Sequence, residues 1–225
     1  MIYCVGVGPG DPELLTLKAI RLIREADVIA VPGKDPGKSV AYRIAAGVVA
    51  DIADKELLGI DMPMTRDKDV LSKAHREGAE TLEKLADQGK AVVFLTLGDP
   101  TVYCTFSYLQ HILEADGYET ELVPGVTSMT AAAARIGISL TEWDEPLHVL
   151  PAAHKAEEIR HLDGTIVLMK SASHMKEIKD LLIENGRTAQ AVIDCGMEGE
   201  IVCRSLDDIP DDAGYFSLII ATVQK

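Results

Sequence analysis

The stretch Ile2–Ala19, IYCVGVGPGDPELLTLKA, predicts how the fold begins. Its apolar run from Ile2 to Val7 is typical of a buried strand, and the glycines that follow break that strand. Asp11 suits the N-cap of a helix and Pro12 its first position, so we expect a helix from Pro12 to about Glu25. A strand joined to a helix through glycines brings backbone close to a small ligand.

The same order of strand, Gly/Pro turn and helix recurs twice. Gly98-Asp99-Pro100 ends one apolar run and precedes a predicted helix over 101–116. A purely structural alternative for this turn is that Asp99 caps the helix and Pro100 takes its first position. Pro124-Gly125 ends another run and precedes an alanine-rich helix over 129–136. Strands that alternate with helices through short turns indicate a parallel sheet. Ligands of such sheets bind beyond the carboxyl ends of the strands, where the three turns would gather.

The second half of the chain has a different pattern. Gly196–Glu200, GMEGE, joins two apolar runs through a tight turn, which predicts a β-hairpin rather than a parallel crossover. We therefore expect an α/β protein with two domains, 1–126 and 127–225. The sheet of the first should be mostly parallel and that of the second mixed.

The composition restricts the partners of this chain. Its 225 residues carry a net charge of −14, and the halves 1–125 and 126–225 carry −7 each. Binding of nucleic acid through released counterions needs the opposite balance, so we expect no nucleic-acid partner. No apolar run approaches the ~20 residues that span a bilayer, and the N-terminus lacks a basic leader. We therefore expect a cytoplasmic protein that does not contact a membrane.

Four cysteines without a CxxC pair and six scattered histidines argue for reduced thiols and against a metal site built by the protein.

The glycines of Gly6–Asp11 also invite a dinucleotide-binding interpretation, which three features oppose. The spacing is G-x-G-x-G rather than G-x-G-x-x-G. Pro9 and Pro12 each lack an N–H that a pyrophosphate would use. Asp11 and Glu13 place negative charge at the expected helix N-terminus. For each of the three turns a purely structural role remains an open alternative.

Taken together, GVGPGDPELLTLKA, LGDPTVYCTFSYL and LVPGVTSMTAAAARIGISL resemble the tetrapyrrole methylase family in order and spacing. The resemblance extends to TIVLMK, AVIDCGMEGEIV and YFSLIIATV and so covers essentially the whole chain. Thr101–Leu109 is most similar to the branch that methylates carbon C-20 of precorrin-2 or cobalt-factor II in cobalamin biosynthesis. Cys104 and Met129 stand where that branch has Ser and Phe.

The resemblance implies a homodimer of class III methyltransferase fold, with S-adenosylmethionine in a cleft between two α/β domains. The residues that it places at the cofactor are Gly98, Asp99, Val102, Thr127, Ser128, Met169, Cys195, Gly196 and Ala221. The first three would hold the methionine part, the next two would lie beside the cofactor, and the last four would line the adenosine. A carboxylate suits the cationic amino and sulfonium groups of this cofactor.

Two further residues are implied for the chemistry. Methyl transfer is an in-line displacement, and holding nucleophile, methyl and sulfur in line can supply much of the catalysis. By resemblance, Asp11 is the candidate general base or substrate-orienting group, and Tyr103 the candidate hydrogen-bond partner near C-20. Asp11 also has a complete structural explanation as a helix cap, so both roles stay open.

The implied substrate carries several carboxylates, whereas the protein is acidic. A local basic lining must then outweigh the field of the whole molecule. The candidates for this lining are Lys34, Lys38 and Arg66, with Arg43, Lys68, His154 and Lys155 as further positions in or near loops. Ordinary solvated surface charge is the alternative for each of them.

Several other functions stay open at the level of sequence. Within the family they are methylation of another corrin position and a diphthine synthase-like activity. Outside it they are a nucleotide-binding oxidoreductase and a non-catalytic tetrapyrrole carrier. No chelating motif distinguishes a metal-free from a cobalt-bearing substrate.

Overall fold

The computed structural model describes residues 1–151, 156–171 and 174–223. The chain forms two compact units, Met1–Thr127 and Ser128–Lys225. Two of the basic candidates, His154 and Lys155, lie outside the described residues.

The first unit is a five-stranded sheet covered by helices. Its strands are β1 (Ile2–Gly6), β2 (Val28–Pro32), β3 (Glu56–Ile60), β4 (Val92–Thr96) and β5 (Thr120–Val123). Its helices are α1 (Leu17–Glu25), α2 (Val40–Ala46), α3 (Lys68–Asp87) and α4 (Phe106–Ala115). The strand order is β3-β2-β4-β1-β5 and every neighbouring pair is parallel, which confirms the predicted parallel sheet.

Both faces of this sheet are buried, as parallel sheets require. Val5 and Leu95 pack on one face with residues of α1 and α2, such as Ile23. Cys4 and Phe94 pack on the other face with residues of α3 and α4. Alternate residues of β1 and β4 therefore belong to different layers of the core, and β1 lies in the interior of the sheet between β4 and β5.

The helix expected from Pro12 begins instead at Leu17. Asp11 caps only one 3-10 turn, Pro12–Leu14, by accepting from the Glu13 N–H at 2.9 Å. The chain is then extended through Leu15, whose side chain is buried in the core beneath α1. The Thr16 hydroxyl caps α1 in place of Asp11, because it accepts from the backbone N–H of Ala19. The extended backbone at Leu15, which places its side chain in the core, thus replaces the continuous helix that the sequence predicted.

The second predicted helix also starts late, since α4 begins at Phe106 rather than at 101. The N-cap position of α4 is Thr105, so the assignment of Asp99 as its cap is wrong. Tyr103 has a φ of 50°, in the left-handed region that no residue adopts within a right-handed helix. The segment 97–105 is therefore a loop between β4 and α4.

The second unit is built on another five-stranded sheet. Its strands are β6 (Leu147–Pro151), β7 (Thr165–Met169), β8 (Arg187–Ile193), β9 (Ile201–Cys203) and β10 (Ser217–Val223). Helix α5 (Ser128–Ile136) packs on one face and α6 (Met175–Glu184) on the other. The order is β6-β7-β10-β8-β9, with β6 and β7 parallel and the remaining pairs antiparallel. This confirms the mixed sheet, and the pairing of β8 with β9 confirms the predicted hairpin.

Throughout residues 1–151, 156–171 and 174–223, each helix is too short or too polar to span a bilayer.

Candidate active site

The loops that follow β1, β4 and β5 meet at the carboxyl edge of the first sheet. They meet because β1 lies between β4 and β5 in the strand order. Pairing continues beyond the strands, since the Gly98 N–H donates to the Gly8 carbonyl at 2.8 Å and the Gly8 N–H to the Gly98 carbonyl at 3.3 Å. The three turns that the sequence singled out are therefore neighbours in space.

Glycines allow these loops to approach so closely. A Cβ atom on Gly125 would lie 2.2 Å from the carbonyl oxygen of Gly98, and one on Gly6 would lie 2.5 Å from the same oxygen. Both distances are far below van der Waals contact. Neither Gly6 nor Gly125 has a positive φ, so the requirement for glycine comes from contact rather than from backbone conformation.

The side chain of Asp99 joins two of the loops. It is only 8% exposed. Its Oδ2 accepts from the Gly125 N–H at 3.0 Å, and its Oδ1 accepts from the N–H and the hydroxyl of Thr101 at 2.7 and 2.5 Å. Hydrogen bonds to a charged group each contribute roughly 1.5–3 kcal/mol. Three of the roughly four acceptor positions of the carboxylate are thus occupied within the protein.

Three of the predicted cofactor residues, Gly98, Asp99 and Val102, lie together in the loop after β4. The Val102 N–H donates to the Asp99 carbonyl at 3.3 Å, which closes a turn. Tyr103 follows with its left-handed backbone and is exposed on the surface of the unit. Thr127 and Ser128 lie at the start of α5, and both are half-buried.

Asp11 lies in the loop after β1, three residues beyond Gly8, and is half-buried. The basic candidates follow the carboxyl ends of β2 and β3, at the same edge of the parallel sheet. Lys34 pairs with Asp61 at 3.1 Å and Lys38 with Asp35 at 3.0 Å, both on the surface. Arg66 is exposed in the loop that leads to α3.

A pair of cysteines beside this loop is a feature to which the sequence analysis assigned no function. Cys4 of β1 and Cys104 both pack in the core layer that the first sheet shares with α3 and α4. Burial raises the pKa of the Cys4 thiol far above its ordinary range. The nearby Cys4 thiol lowers the pKa of Cys104 from 9.0 to about 6, against the opposing effect of burial and with help from Thr96 and the Phe106 N–H. Cysteines 100 residues apart give no local sequence signal of this pairing.

In the second unit, β7 and β8 are both antiparallel to β10 and so end at the same edge of their sheet. Met169 pairs with Leu218 there, and Ile193 with Ser217. The residues that follow turn sharply, because Lys170 and Asp194 have left-handed backbones with φ of 58° and 52°. This edge brings the predicted positions Met169, Cys195 and Gly196 together.

Ala221 lies apart from them. It pairs with Ile166 and Ala189, three residues further along β10 than the partner of Met169. At about 3.4 Å per residue this is a separation of roughly 10 Å. Its side chain is fully buried in the core layer shared with α6.

Glu200 was also missed by sequence reasoning. It accepts from the Gly196 N–H at 2.7 Å and from Arg135 of α5 at 2.5 Å, so it fixes the turn after β8. Within the part of the chain that the structure describes, no group of three or more His, Cys, Asp or Glu side chains is arranged to hold a metal ion.

Glycine-lined loops at the carboxyl edge of a parallel sheet are typical of α/β proteins that bind a small ligand. A family model for tetrapyrrole (corrin/porphyrin) methylases matches residues 1–209, so the chain belongs to this family of methyltransferases.

Named relatives and solved structures agree with this family. The probable cobalt-precorrin-2 C(20)-methyltransferase of Methanocaldococcus jannaschii is 38% identical, and the match covers 97% of this chain and 94% of that protein. The precorrin-2 C(20)-methyltransferase of Sinorhizobium sp. is 32% identical over 96% of this chain and 92% of its own length. The uroporphyrin-III C-methyltransferase of Thermus thermophilus, solved in complex with S-adenosylhomocysteine, superposes with a TM-score of 0.71 at 25% identity. That match covers 98% of this chain and 96% of the other.

Replacement of Gly125 by alanine tests the close approach of the loops. We expect Gly125→Ala to lower the free energy of unfolding by about 1–3 kcal/mol or more, because the backbone of two loops must move apart to admit the methyl group. Urea unfolding measures this. Gly37→Ala is the matched control, since its Cβ would lie no closer than 3.6 Å to a neighbour, and its effect should stay within about 1 kcal/mol. Equal effects of the two variants would contradict the role given to Gly125.

Proposed function

We propose that this protein is an S-adenosylmethionine-dependent methyltransferase that methylates carbon C-20 of precorrin-2 or cobalt-factor II in corrin biosynthesis. The observation that carries the proposal is identity of 32–38%, over nearly the whole chain, to relatives named for C(20) methylation. One of these names specifies the cobalt-bearing substrate and the other does not, so the proposal includes both forms. Homodimeric assembly and a cytoplasmic location belong to the same proposal and rest on the family resemblance alone.

S-adenosylmethionine would supply an electrophilic methyl group. For this cofactor we assign Gly98, Asp99 and Val102 to the methionine part, Thr127 and Ser128 to its vicinity, and a second set to the adenosine. That second set is Met169, Cys195, Gly196 and Ala221. Two observations bear on the assignment. Gly98, Asp99 and Val102 share one closed turn. Ala221, in contrast, lies three residues further along β10 than Leu218, the partner of Met169.

The part played by Asp99 follows from its hydrogen bonds. Three of the roughly four acceptor positions of this carboxylate are occupied, and the side chain is buried, so direct contact with a ligand is restricted. We therefore assign it to positioning: it fixes the backbone of Gly98 and Val102 against the Gly125 loop. Preorganised backbone of this kind lowers the cost of ordering a bound ligand. Its negative charge also favours a cationic ligand nearby.

Asp11 and Tyr103 are the residues assigned to the reacting carbon. Formation of the new C–C bond at C-20 leaves a proton to be managed, and Asp11 is the assigned base or orienting group. The Asp11 Oδ1 binds the Glu13 N–H, so Oδ2 has acceptor capacity for a second donor. Tyr103 is exposed and its phenol can donate or accept at the substrate.

The activity is tested by incubating the protein with S-adenosylmethionine carrying a deuterated methyl group and with precorrin-2 or cobalt-factor II. We expect mass spectrometry to show a gain of one labelled methyl on at least one substrate, and NMR to place it at C-20. S-adenosylhomocysteine should raise the melting temperature, because a ligand that binds only the native state stabilises it, and NAD should not.

The alternatives give other results. A methyl group at a different carbon would assign the protein to another branch of the family. Tetrapyrrole binding without release of S-adenosylhomocysteine would identify a carrier, and stabilisation by NAD alone would favour an oxidoreductase. Methylation of neither substrate would overturn the proposed C-20 activity.

Asparagine at position 11 separates capping from catalysis, because Asn caps as well as Asp but cannot accept a proton. We expect Asp11→Asn to keep the melting temperature while kcat falls about 10²- to 10⁴-fold, the usual contribution of a general base. Steady-state kinetics and calorimetry measure the two effects. Thr16→Ala is the control: it removes the cap of the neighbouring helix at a cost of about 1 kcal/mol and should leave kcat unchanged. Full activity of Asp11→Asn would leave Asp11 as a cap only.

We assign Lys34, Lys38 and Arg66 to the carboxylates of the substrate. If they bind it, the triple Lys34→Gln, Lys38→Gln, Arg66→Gln variant should raise the KM for the tetrapyrrole about 3- to 100-fold, at ~0.2–1 kcal/mol for each exposed pair. The KM should also lose much of its salt dependence. A triple Gln variant of Arg21, Lys73 and Lys84, which are exposed on helices α1 and α3, changes the charge equally. If both triple variants changed the KM equally, the effect would come from the overall charge of the protein and not from contacts of Lys34, Lys38 and Arg66 with the substrate.

A further inference from the structure

Cys4 and Cys104 come from distant parts of the chain and meet on one face of the first sheet. Cys4 is in β1, flanked in register by Phe94 and Leu122, and is fully buried. Cys104 is half-buried in the loop before α4, and its side chain packs on the same core layer, the one shared with α3 and α4. The Cys4 thiol is thus closed off from solvent, whereas the Cys104 thiol lies at the outer boundary of the core layer.

The surroundings of Cys104 favour its thiolate. Its Sγ accepts from the Phe106 N–H, at the first turn of α4, at 3.4 Å. The Thr96 hydroxyl lies 3.3 Å from the same sulfur, and Cys4 packs in the same core layer. Burial and the charge of Asp99 oppose ionisation of Cys104. Hydrogen-bond donors and a helix N-terminus are the features that activate a cysteine toward electrophiles, whereas the buried Cys4 stays protonated.

We propose that Cys4 and Cys104 form a site of oxidation by hydroperoxides. The Cys104 thiolate attacks the terminal oxygen of the peroxide, so that an S–O bond forms and the O–O bond breaks. The products are a sulfenic acid at Cys104 and an alkoxide or hydroxide, which takes up a proton. The Cys4 thiol then attacks the sulfenic sulfur, forms the S–S bond and releases water. In total, two thiols are oxidised to one disulfide and one peroxide is reduced. An organic hydroperoxide gives one alcohol and one water, and hydrogen peroxide gives two waters.

The disulfide would tether the loop after β4 to β1, the neighbouring strand of the sheet. That loop contains Gly98, Asp99 and Tyr103, which the proposed function places at the cofactor and the substrate. We therefore expect oxidation to stop methyl transfer and thiol reductants to restore it. This consequence rests on the proposed function; the oxidation itself does not.

The experiment treats the intact protein at pH 7 with hydrogen peroxide, blocks free thiols with iodoacetamide under denaturing conditions, and maps the peptides by mass spectrometry. We expect a Cys4–Cys104 linked peptide that disappears after reduction, while Cys195 and Cys203 remain alkylated. In the native, unoxidised protein, Cys104 should react with iodoacetamide at least about ten-fold faster than the buried Cys203. Its rate should be half-maximal near the pKa of about 6.

Variants separate the two thiols. Cys4→Ala should leave a sulfenic acid at Cys104 that dimedone traps. It should form more slowly than in the parent protein, because Cys4 favours the Cys104 thiolate. Cys203→Ser, the matched control, should form the same linked peptide as the parent protein. Circular dichroism checks that each variant folds. Oxidation of Cys104 to the sulfinic acid without linkage to Cys4 would overturn the proposal. Equal reactivity of Cys104 and Cys203 toward iodoacetamide in the parent protein would also overturn it, and this measurement needs no variant. A linked peptide in a protein without methyltransferase activity would support the thiol site and count against the proposed function.

Discussion

The Asp99 carboxylate binds the backbone of the Gly125 loop, and this interaction determines the arrangement of the site. It is possible because Gly6 and Gly125 lack a Cβ, which lets their backbones approach the carbonyl of Gly98. A neutral side chain at position 99 would leave the Gly125 N–H without its charged acceptor, at a cost of about 1–3 kcal/mol. The loop that carries Asp11 is joined to the same place by the backbone pair of Gly8 with Gly98.

The hydrogen bonds of the Asp99 carboxylate bear on the functional role that this residue can have. The sequence suggested a negative group that faces a cationic cofactor, whereas the structure shows one whose oxygens accept three hydrogen bonds within the protein. The Asp99 side chain is only 8% exposed. If the carboxylate turned toward a ligand, those hydrogen bonds would break where water cannot replace them, which costs free energy. This arrangement supports the proposed positioning role, in which Asp99 acts on a ligand through the backbone that it holds.

Local rules predicted the strands, the parallel and mixed sheets and the hairpin at Gly196–Glu200, because hydrophobic periodicity and turn residues carry that information. They failed at the starts of α1 and α4. At the first start, Leu15 is buried in the core; at the second, Asp99 binds the Gly125 N–H, 26 positions away. A capping motif predicts neither of these long-range contacts. The gathering of the three turns followed from topology. The offset of Ala221 did not, since it depends on the register of β10 with two other strands.

The thiol at position 104 is not needed for the fold. A hydroxyl there could accept from the Phe106 N–H and bond to Thr96 with the same connectivity, and the small change in volume would fall at the boundary of the core. Sulfur differs from oxygen in that it ionises near neutral pH when donors surround it, and that it forms a covalent bond with a second thiol within reach. Cys4 is such a thiol, and it lies in the strand against which the site is built. The distinctive property of this pair is therefore chemical, and its position couples that chemistry to the Asp99 loop.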